Sequence, residues 1–127
     1  MIKLDIKARN FEIDAKMKAY VDDKIGGLEK YLPRDVRGNV TAMVVLEDDP
    51  SGREDNRFVC ETVMTVQGTQ LVSREGTINI YAAIDIVEAK MKLQCVKYKE
   101  KHALQPRRLR MLSRWLSRSG EPETEDA

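Results

Sequence analysis

Residues 79–101, NIYAAIDIVEAKMKLQCVKYKEK, predict one long α-helix with a single apolar face. The apolar side chains recur at three- and four-residue steps, which places them on one stripe of a helix. They are Ile80, Ile84, Val87, Met91, Cys95 and Tyr98. Asn79 is a predicted N-cap, because its side chain can accept hydrogen bonds from the free N–H groups of the first turn. A helix of this kind docks on a sheet through its stripe.

Lysines line both flanks of that stripe. They are Lys90, Lys97 and Lys101 on one flank and Lys92 and Lys99 on the other. Most amphipathic helices carry charge on their outer face, so a solvated surface is the simplest interpretation. The charge imbalance argues against it, because residues 90–118 carry 10 basic and one acidic residue (net +9), whereas residues 1–89 carry 12 basic and 16 acidic residues (net −4). Such a local positive field favours a polyanionic partner.

Length and composition are those of one modest globular domain. The chain has 127 residues, of which 42% are apolar and 34% charged. No apolar run approaches the ~20 residues of a membrane span, and residues 1–9 alternate without the apolar core of a signal peptide. We therefore expect a cytoplasmic protein with no membrane partner. Cys60 and Cys95 stand at apolar positions without CxxC spacing, which predicts buried, reduced thiols.

Upstream of this helix, hydrophobic periodicity predicts one helix and four strands. Residues 2–8 alternate with period two and predict a strand. A helix follows from its N-cap Asp14 to about residue 32, interrupted at Gly26-Gly27 and stopped before Pro33. Strands are predicted at residues 36–47, 57–67 and 70–74, with a polar hairpin loop at residues 48–56.

The resulting order is β-α-β-β-β-α, an α+β fold. A four-stranded, mainly antiparallel sheet with both helices on one face buries the single apolar face of every element. This domain is expected to span residues 1–104. It is followed by a basic amphipathic segment at residues 105–118 and an acidic, disordered tail at residues 119–127.

The basic segment is ambiguous from its sequence. Leu109, Leu112 and Leu116 would form a stripe on a short helix after Pro106. The segment can be a frayed helix patched onto the domain, a second RNA contact or a partner-binding helix. The residues that would make such an additional contact are Arg107, Arg108, Arg110 and Trp115.

Catalytic chemistry finds little support. The single histidine, His102, lies among lysines at a helix end, and no His/Cys cluster has metal-ligand spacing. Neither GxxxxGK[ST] nor GxGxxG occurs, and the acidic loop at residues 48–56 lacks EF-hand spacing. We expect no enzyme activity, no cofactor, no metal and no small-molecule substrate.

Several short motifs together carry a family resemblance. They are RNFEI at 9–13, Tyr20-Val21, Lys24, LEKY at 28–31, IYAAID at 80–85, Lys90, Gln94 and KYK at 97–99. Over about residues 1–101 the chain resembles the ribosome hibernation promoting factors, also called ribosome-associated translation inhibitors. YAAID and LEKY in combination are fairly specific, whereas either alone would be weak.

The resemblance implies a fold and a function. Members share the β-α-β-β-β-α fold and bind the small ribosomal subunit between head and body, where they overlap the mRNA path and the tRNA positions. Translation stops, and idle ribosomes are preserved in stationary phase or stress. Basic side chains on the two helices contact 16S rRNA phosphates. The matching residues are Lys18, Lys24 and Lys30 on the first helix and Lys90, Lys97 and Lys101 on the second, with Lys92 and Lys99 as supplements.

The chain departs from the family pattern at three points. Gly27 and Leu93 stand where members often carry a basic residue, so those contacts are expected to be missing or moved to Lys92 and the arginine-rich segment. The chain resembles the short form, which lacks the linker and second, dimerising domain, and this leaves open whether it promotes paired ribosomes or keeps them single. We expect the protein itself to be a monomer. Residues 107–118 match nothing in the family.

Two other functions fit parts of the pattern. A double-stranded RNA-binding module has a similar α-β-β-β-α order, but its last helix usually opens with lysines, whereas here the lysines come late. A protein-interaction adaptor would work through Leu112, Trp115 and Leu116. Removal of residues 105–127 would abolish an adaptor's activity and leave most of a ribosome blocker's.

Overall fold

Two helices cover one face of a four-stranded sheet. The structure, a computed structural model, describes residues 2–51 and 53–119, with the backbone only for residues 54 and 103–119. The elements are β1 (Lys3–Arg9), α1 (Ala15–Gly26), β2 (Val40–Asp48), β3 (Phe58–Val66), β4 (Thr69–Thr77) and α2 (Ile80–Ser119). Short 3-10 helices lie at Gly27–Tyr31, Arg34–Asn39 and Glu54–Asn56. The predicted α+β class and β-α-β-β-β-α order are confirmed.

The sheet has the order β1-β2-β3-β4. β1 pairs with β2 in parallel, because α1 carries the chain back across the sheet between them. The other two pairings are antiparallel, and the tight β3–β4 turn holds Gln67 and Gly68 at positive φ, 48° and 80°. One row of side chains crosses all four strands and belongs to the core beneath the helices. It consists of Leu4, Ala42, Met64 and Leu71.

The apolar stripe of α2 fills the centre of this core. Ile84, Val87, Met91 and Cys95 are fully buried, and the predicted caps are formed. Asn79 Oδ1 accepts from the Tyr81 N–H at 2.8 Å, and the corresponding bond at the start of α1 joins Asp14 Oδ1 to the Met17 N–H, also at 2.8 Å.

Both cysteines are buried and free, as predicted. Burial raises the pKa of the Cys60 thiol to about 12 and that of Cys95 to about 11. Within the described residues, no helix is long and apolar enough to cross a membrane.

The structure refines the predicted bounds at two glycine positions. The first helix ends as an α-helix at Gly26 and continues as a 3-10 helix through Tyr31, because glycine disfavours the α-helix. Leu28 and Leu32 remain fully buried nonetheless. β4 runs through Gly76 to Thr77, longer than predicted. A Cβ at Gly76 would lie 2.9 Å from the Asn56 carbonyl oxygen, so the glycine serves a close approach within a strand.

Two other predicted bounds also differ. The second strand begins at Val40, after the 3-10 helix Arg34–Asn39. The last helix is continuous to Ser119 and passes through Pro106. The expected boundary between residues 104 and 105 therefore falls inside a helix. The side chains of residues 105–118 and the whole of residues 120–127 lie outside the described part of the chain.

Candidate nucleic-acid interface

One flank of α2 faces β4, the edge strand beneath it. Gln94 Nε2 donates to the Val72 carbonyl at 2.8 Å, and the Lys90 ammonium forms an ion pair with the Glu75 carboxylate. Lys97 and Lys101 follow Lys90 on this flank, two and three turns later. The first lysine of the flank is thus already engaged by an acid of the same molecule.

The opposite flank of α2 faces α1 and the 3-10 helix that follows it. The Lys92 ammonium lies 4.9 Å from the centroid of the Tyr31 ring, and the Lys30 ammonium lies 5.3 Å from the same centroid. Lys99 comes two turns after Lys92 on this flank. Two cations from separate elements therefore meet at one aromatic ring.

Asp85, near the start of α2, ties this helix to the middle of α1. The Tyr20 hydroxyl donates to Asp85 Oδ1 at 2.5 Å, and the Lys24 ammonium lies 3.9 Å from the same oxygen. The hydrogen bond, then burial and the neighbouring carboxylates raise the pKa of Tyr20 to about 12. Lys24 is consequently placed between an acid and the Tyr20 ring, whose centroid lies 5.5 Å away.

The structure does not bring Lys18 together with the other predicted site residues. Lys18 lines a surface depression on the β1 side of α1, together with residues that include Asp14 and Asp22. The α2-facing flank of α1 instead carries Lys16, Tyr20 and Lys24 at four-residue steps. Lys18 thus lies in acidic surroundings, away from α2.

Lys97, Lys99 and Lys101 form what we call the terminal lysine triplet. All three are exposed, and among the described side chains none of them lies within ion-pair distance of a carboxylate. The adjacent His102 behaves differently, since its Nε2 lies 2.9 Å from Asp35 Oδ2. This hydrogen bond lowers the pKa of Asp35, and the His102 ring stacks on Tyr98 at 5.7 Å.

Sequence reasoning missed Lys16. Its ammonium lies 5.9 Å from the centroid of the Tyr81 ring, at the start of α2. The i, i+4, i+8 spacing of Lys16, Tyr20 and Lys24 is a signal in the sequence that would have found it. At the two positions where family members often carry a basic residue, Gly27 is exposed and Leu93 is 64% exposed.

The acidic residues of the loop at residues 48–56 are the remaining candidates named from the sequence. Within the described residues, no group of three or more His, Cys, Asp or Glu side chains is placed to hold a metal ion. The loop acids have partners of their own, since Asp48 accepts from Arg57 at 2.5 and 3.1 Å and Asp49 from the Ser51 hydroxyl at 2.6 Å. Arg107, Arg108, Arg110 and Trp115 lie on α2, and their side chains lie outside the described part of the chain.

Comparison with known proteins identifies relatives of this chain. Residues 4–103 match the family model described as Sigma 54 modulation protein / S30EA ribosomal protein. The ribosome hibernation promotion factor of Lactococcus lactis subsp. cremoris is 34% identical over 107 residues, covering 84% of this chain and 55% of that protein. The protein of the same name from Picosynechococcus sp. is 31% identical over 101 residues, covering 80% and 51%. The chain thus spans about half the length of the curated relatives it matches.

Two solved structures share the fold. The N-terminal domain of Protein Y from Thermus thermophilus superposes with a TM-score of 0.64 at 24% identity, covering 77% of this chain and 99% of that one. A ribosomal subunit interface protein from Coxiella burnetii gives a TM-score of 0.62 at 15% identity, covering 80% and 100%. At these identities the likeness establishes the fold.

Proposed function

The chain belongs to the Sigma 54 modulation protein / S30EA ribosomal protein family, and on this premise we propose that it is a ribosome hibernation factor that binds ribosomes and represses translation. Two of its relatives carry the name ribosome hibernation promotion factor. The protein acts as a monomeric plug in the channel of the small subunit, where it excludes mRNA and tRNA. Occupancy of the channel is enough to stop translation, so no chemistry is required of the chain.

The observation that carries this proposal is a line of cations along α2 and its neighbour that have no carboxylate partner among the described side chains. The terminal lysine triplet is exposed, and Lys30 and Lys92 rest against the Tyr31 ring. None of these five ammonium groups lies within ion-pair distance of a carboxylate among the described side chains. Cations in this state can replace the counterions on 16S rRNA phosphates. Each phosphate contact contributes about −0.9 on a duplex, and about −0.7 on a single strand, to the salt slope, which is the slope of the log binding constant against log salt concentration.

The two paired lysines make weaker contributions in this proposal. Lys90 must leave Glu75, and Lys24 must leave Asp85, before either can bind a phosphate. An exposed ion pair is worth only about 0–1 kcal/mol, so both can exchange. Lys18 contributes least, because Asp14 and Asp22 line the same depression.

The segment at residues 105–118 supplies an additional contact in this proposal. It continues α2, and its five arginines extend the positive charge beyond the sheet. Arg107, Arg108 and Arg110 would contact rRNA phosphates, with Trp115 available for stacking on a base. Removal of residues 105–127 is then expected to weaken binding without abolishing it, whereas complete loss would favour the adaptor function.

Charge reversal with a matched control tests the proposal. The full chain carrying Lys97→Glu, Lys99→Glu and Lys101→Glu is centrifuged through sucrose gradients with purified small subunits and is expected to leave the subunit peak. The control reverses Lys3, Lys7 and Arg9, three exposed cations of β1 on the sheet face that the helices leave open. It makes the same change in net charge and should still co-sediment. Equal retention of both variants would refute the proposed contact surface.

A further inference from the structure

Four lysines rest on tyrosine rings along the groove between α1 and α2, which we call the inter-helix seam. Lys16 lies over Tyr81, Lys24 over Tyr20, and both Lys30 and Lys92 over Tyr31. The helices run in the same direction, since the start of α1 meets the start of α2 and the end of the following 3-10 helix meets the middle of α2. The seam therefore alternates cations with aromatic rings along one line.

The middle of the seam is closed by internal contacts. The Tyr20 ring packs edge-to-face on Tyr81, with centroids 5.0 Å apart and an interplanar angle of 88°. Its hydroxyl is bound to Asp85, which also attracts Lys24. An acid at this point repels phosphate, so Tyr20 and Asp85 join the helices and leave the two ends of the seam as the places where a ligand can bind.

At one end of the seam, two cations contact the ring of Tyr31. Arg37 donates to the Lys30 and Leu32 carbonyls, each at 3.0 Å, and so fixes the backbone on both sides of Tyr31. The Lys30 and Lys92 ammonium groups lie 5.3 and 4.9 Å from the centroid of this ring. A phosphate bound by either group would form charge-assisted hydrogen bonds, which are stronger than cation–π contacts.

At the other end of the seam, near the start of α2, one cation contacts the ring of Tyr81. The Tyr81 backbone is held by the Asn79 cap, and Lys16 lies over the Tyr81 ring, which is half-buried. When Lys16 turns toward a phosphate, it uncovers a ring face on which a base can stack. Tyr81 and Lys92 are eleven residues apart on α2, about 16 Å at 1.5 Å per residue.

We propose that the inter-helix seam binds single-stranded RNA, with Tyr31 and Tyr81 each stacking an unpaired base while the lysines that cover the rings move to the flanking phosphates. The inference rests on the proposed function and names the kind of RNA that this surface takes. A span of about 16 Å accommodates up to about five stacked nucleotides at ~3.4 Å each. A duplex fits poorly, because its paired bases are not free to stack on a protein ring.

The test separates stacking from charge. Binding of the full chain to a fluorescent oligouridylate, and to an RNA duplex of the same length, is measured by anisotropy over a series of salt concentrations. Tyr31→Leu with Tyr81→Leu is expected to weaken oligouridylate binding at least about tenfold, within the range for loss of stacking aromatics, and to leave the salt slope unchanged. Tyr31→Phe with Tyr81→Phe keeps both rings and should bind like the parent.

Phe58→Leu is the matched control, because Phe58 also carries a cation, Arg57, at 5.4 Å from its ring, but lies outside the seam. It should bind oligouridylate like the parent, and thermal unfolding verifies that every variant is folded. Full affinity of the leucine pair, or preference of the parent for the duplex, would overturn the inference. Co-sedimentation with small subunits distinguishes the two proposals. If the variant with both leucine substitutions binds small subunits as well as the parent does, only the stacking site is refuted. If the parent binds oligouridylate but not small subunits, only the proposed function is refuted.

Discussion

The ion pair between Lys90 and Glu75 leads to a prediction of improved binding. Glu75 occupies Lys90 in the free protein, so a phosphate must compete with it. Glu75→Gln removes the competing charge and keeps the size and shape of the side chain. We expect this variant to bind small ribosomal subunits more tightly than the parent does.

The size of the gain follows from two contributions. The Lys90 and Glu75 side chains are 52% and 27% exposed, so breaking their pair costs about 0–1 kcal/mol. A phosphate bound to Lys90 would also be repelled by Glu75, by about 0.7 kcal/mol if it lay roughly 6 Å away in water. Together these amount to about 0.7–1.7 kcal/mol, which corresponds to roughly a three- to twentyfold gain in affinity at low salt. The dependence of log K on log salt concentration should change little, because Lys90 binds the same phosphate in both proteins and only its competitor is removed.

Titration of labelled small subunits over a series of salt concentrations measures both quantities. The control is Glu61→Gln, since Glu61 pairs with Arg74 at 3.7 Å on the open face of the sheet. It makes the same change in charge but frees a cation away from the proposed interface. If Glu75→Gln binds no better than Glu61→Gln, then Lys90 makes no phosphate contact, and the reasoning about this flank fails.

Three further predictions concern the domain itself. Tyr20 donates as a neutral phenol, and its pKa is raised from 10.0 to about 12, so its contribution to stability is complete below pH 10 and is lost as the pH rises toward 12. Tyr20→Phe should lower the free energy of unfolding in urea by about 1 kcal/mol at pH 7 and reduce the loss of stability at alkaline pH. The lowered pKa of Asp35 means that its carboxylate stabilises the fold above its ordinary pKa of 3.8, and this contribution is lost as the pH falls through the folded-state pKa. The melting temperature of Asp35→Asn should therefore change less with pH below about pH 4 than that of the parent. Cys60 and Cys95, buried and with raised pKa values, should resist iodoacetamide at pH 8 until urea unfolds the chain; rapid labelling of the native protein would contradict this.

Local patterns carried most of the fold. Period two in the strands and the three- and four-residue steps in the helices are properties of single elements, so they can be read without knowing the partners. The fourth strand was predicted too short, because glycine occurs both outside strands and inside them at close approaches. The prediction ended the strand at residue 74, yet β4 continues through Gly76, where the Asn56 carbonyl lies too close for a side chain.

The candidate site was less predictable. The flank on which each α2 lysine falls follows from helical periodicity, but the neighbour it meets does not. Lys90 pairs with Glu75, which is 15 residues away in sequence, and Lys92 contacts Tyr31, which is 61 residues away. Lys18 was placed with the phosphate-binding set by resemblance, whereas the packing of α1 turns it toward β1.

The sequence by itself determined the order of the elements, the buried faces and the concentration of positive charge after residue 89, because each depends on the spacing of residues along one segment. Only the tertiary structure decided which cations remain unpaired and which rings they cover. An ion pair or a cation–π contact depends on a few ångströms between segments distant in sequence, and those distances are set by how the two helices dock on the sheet.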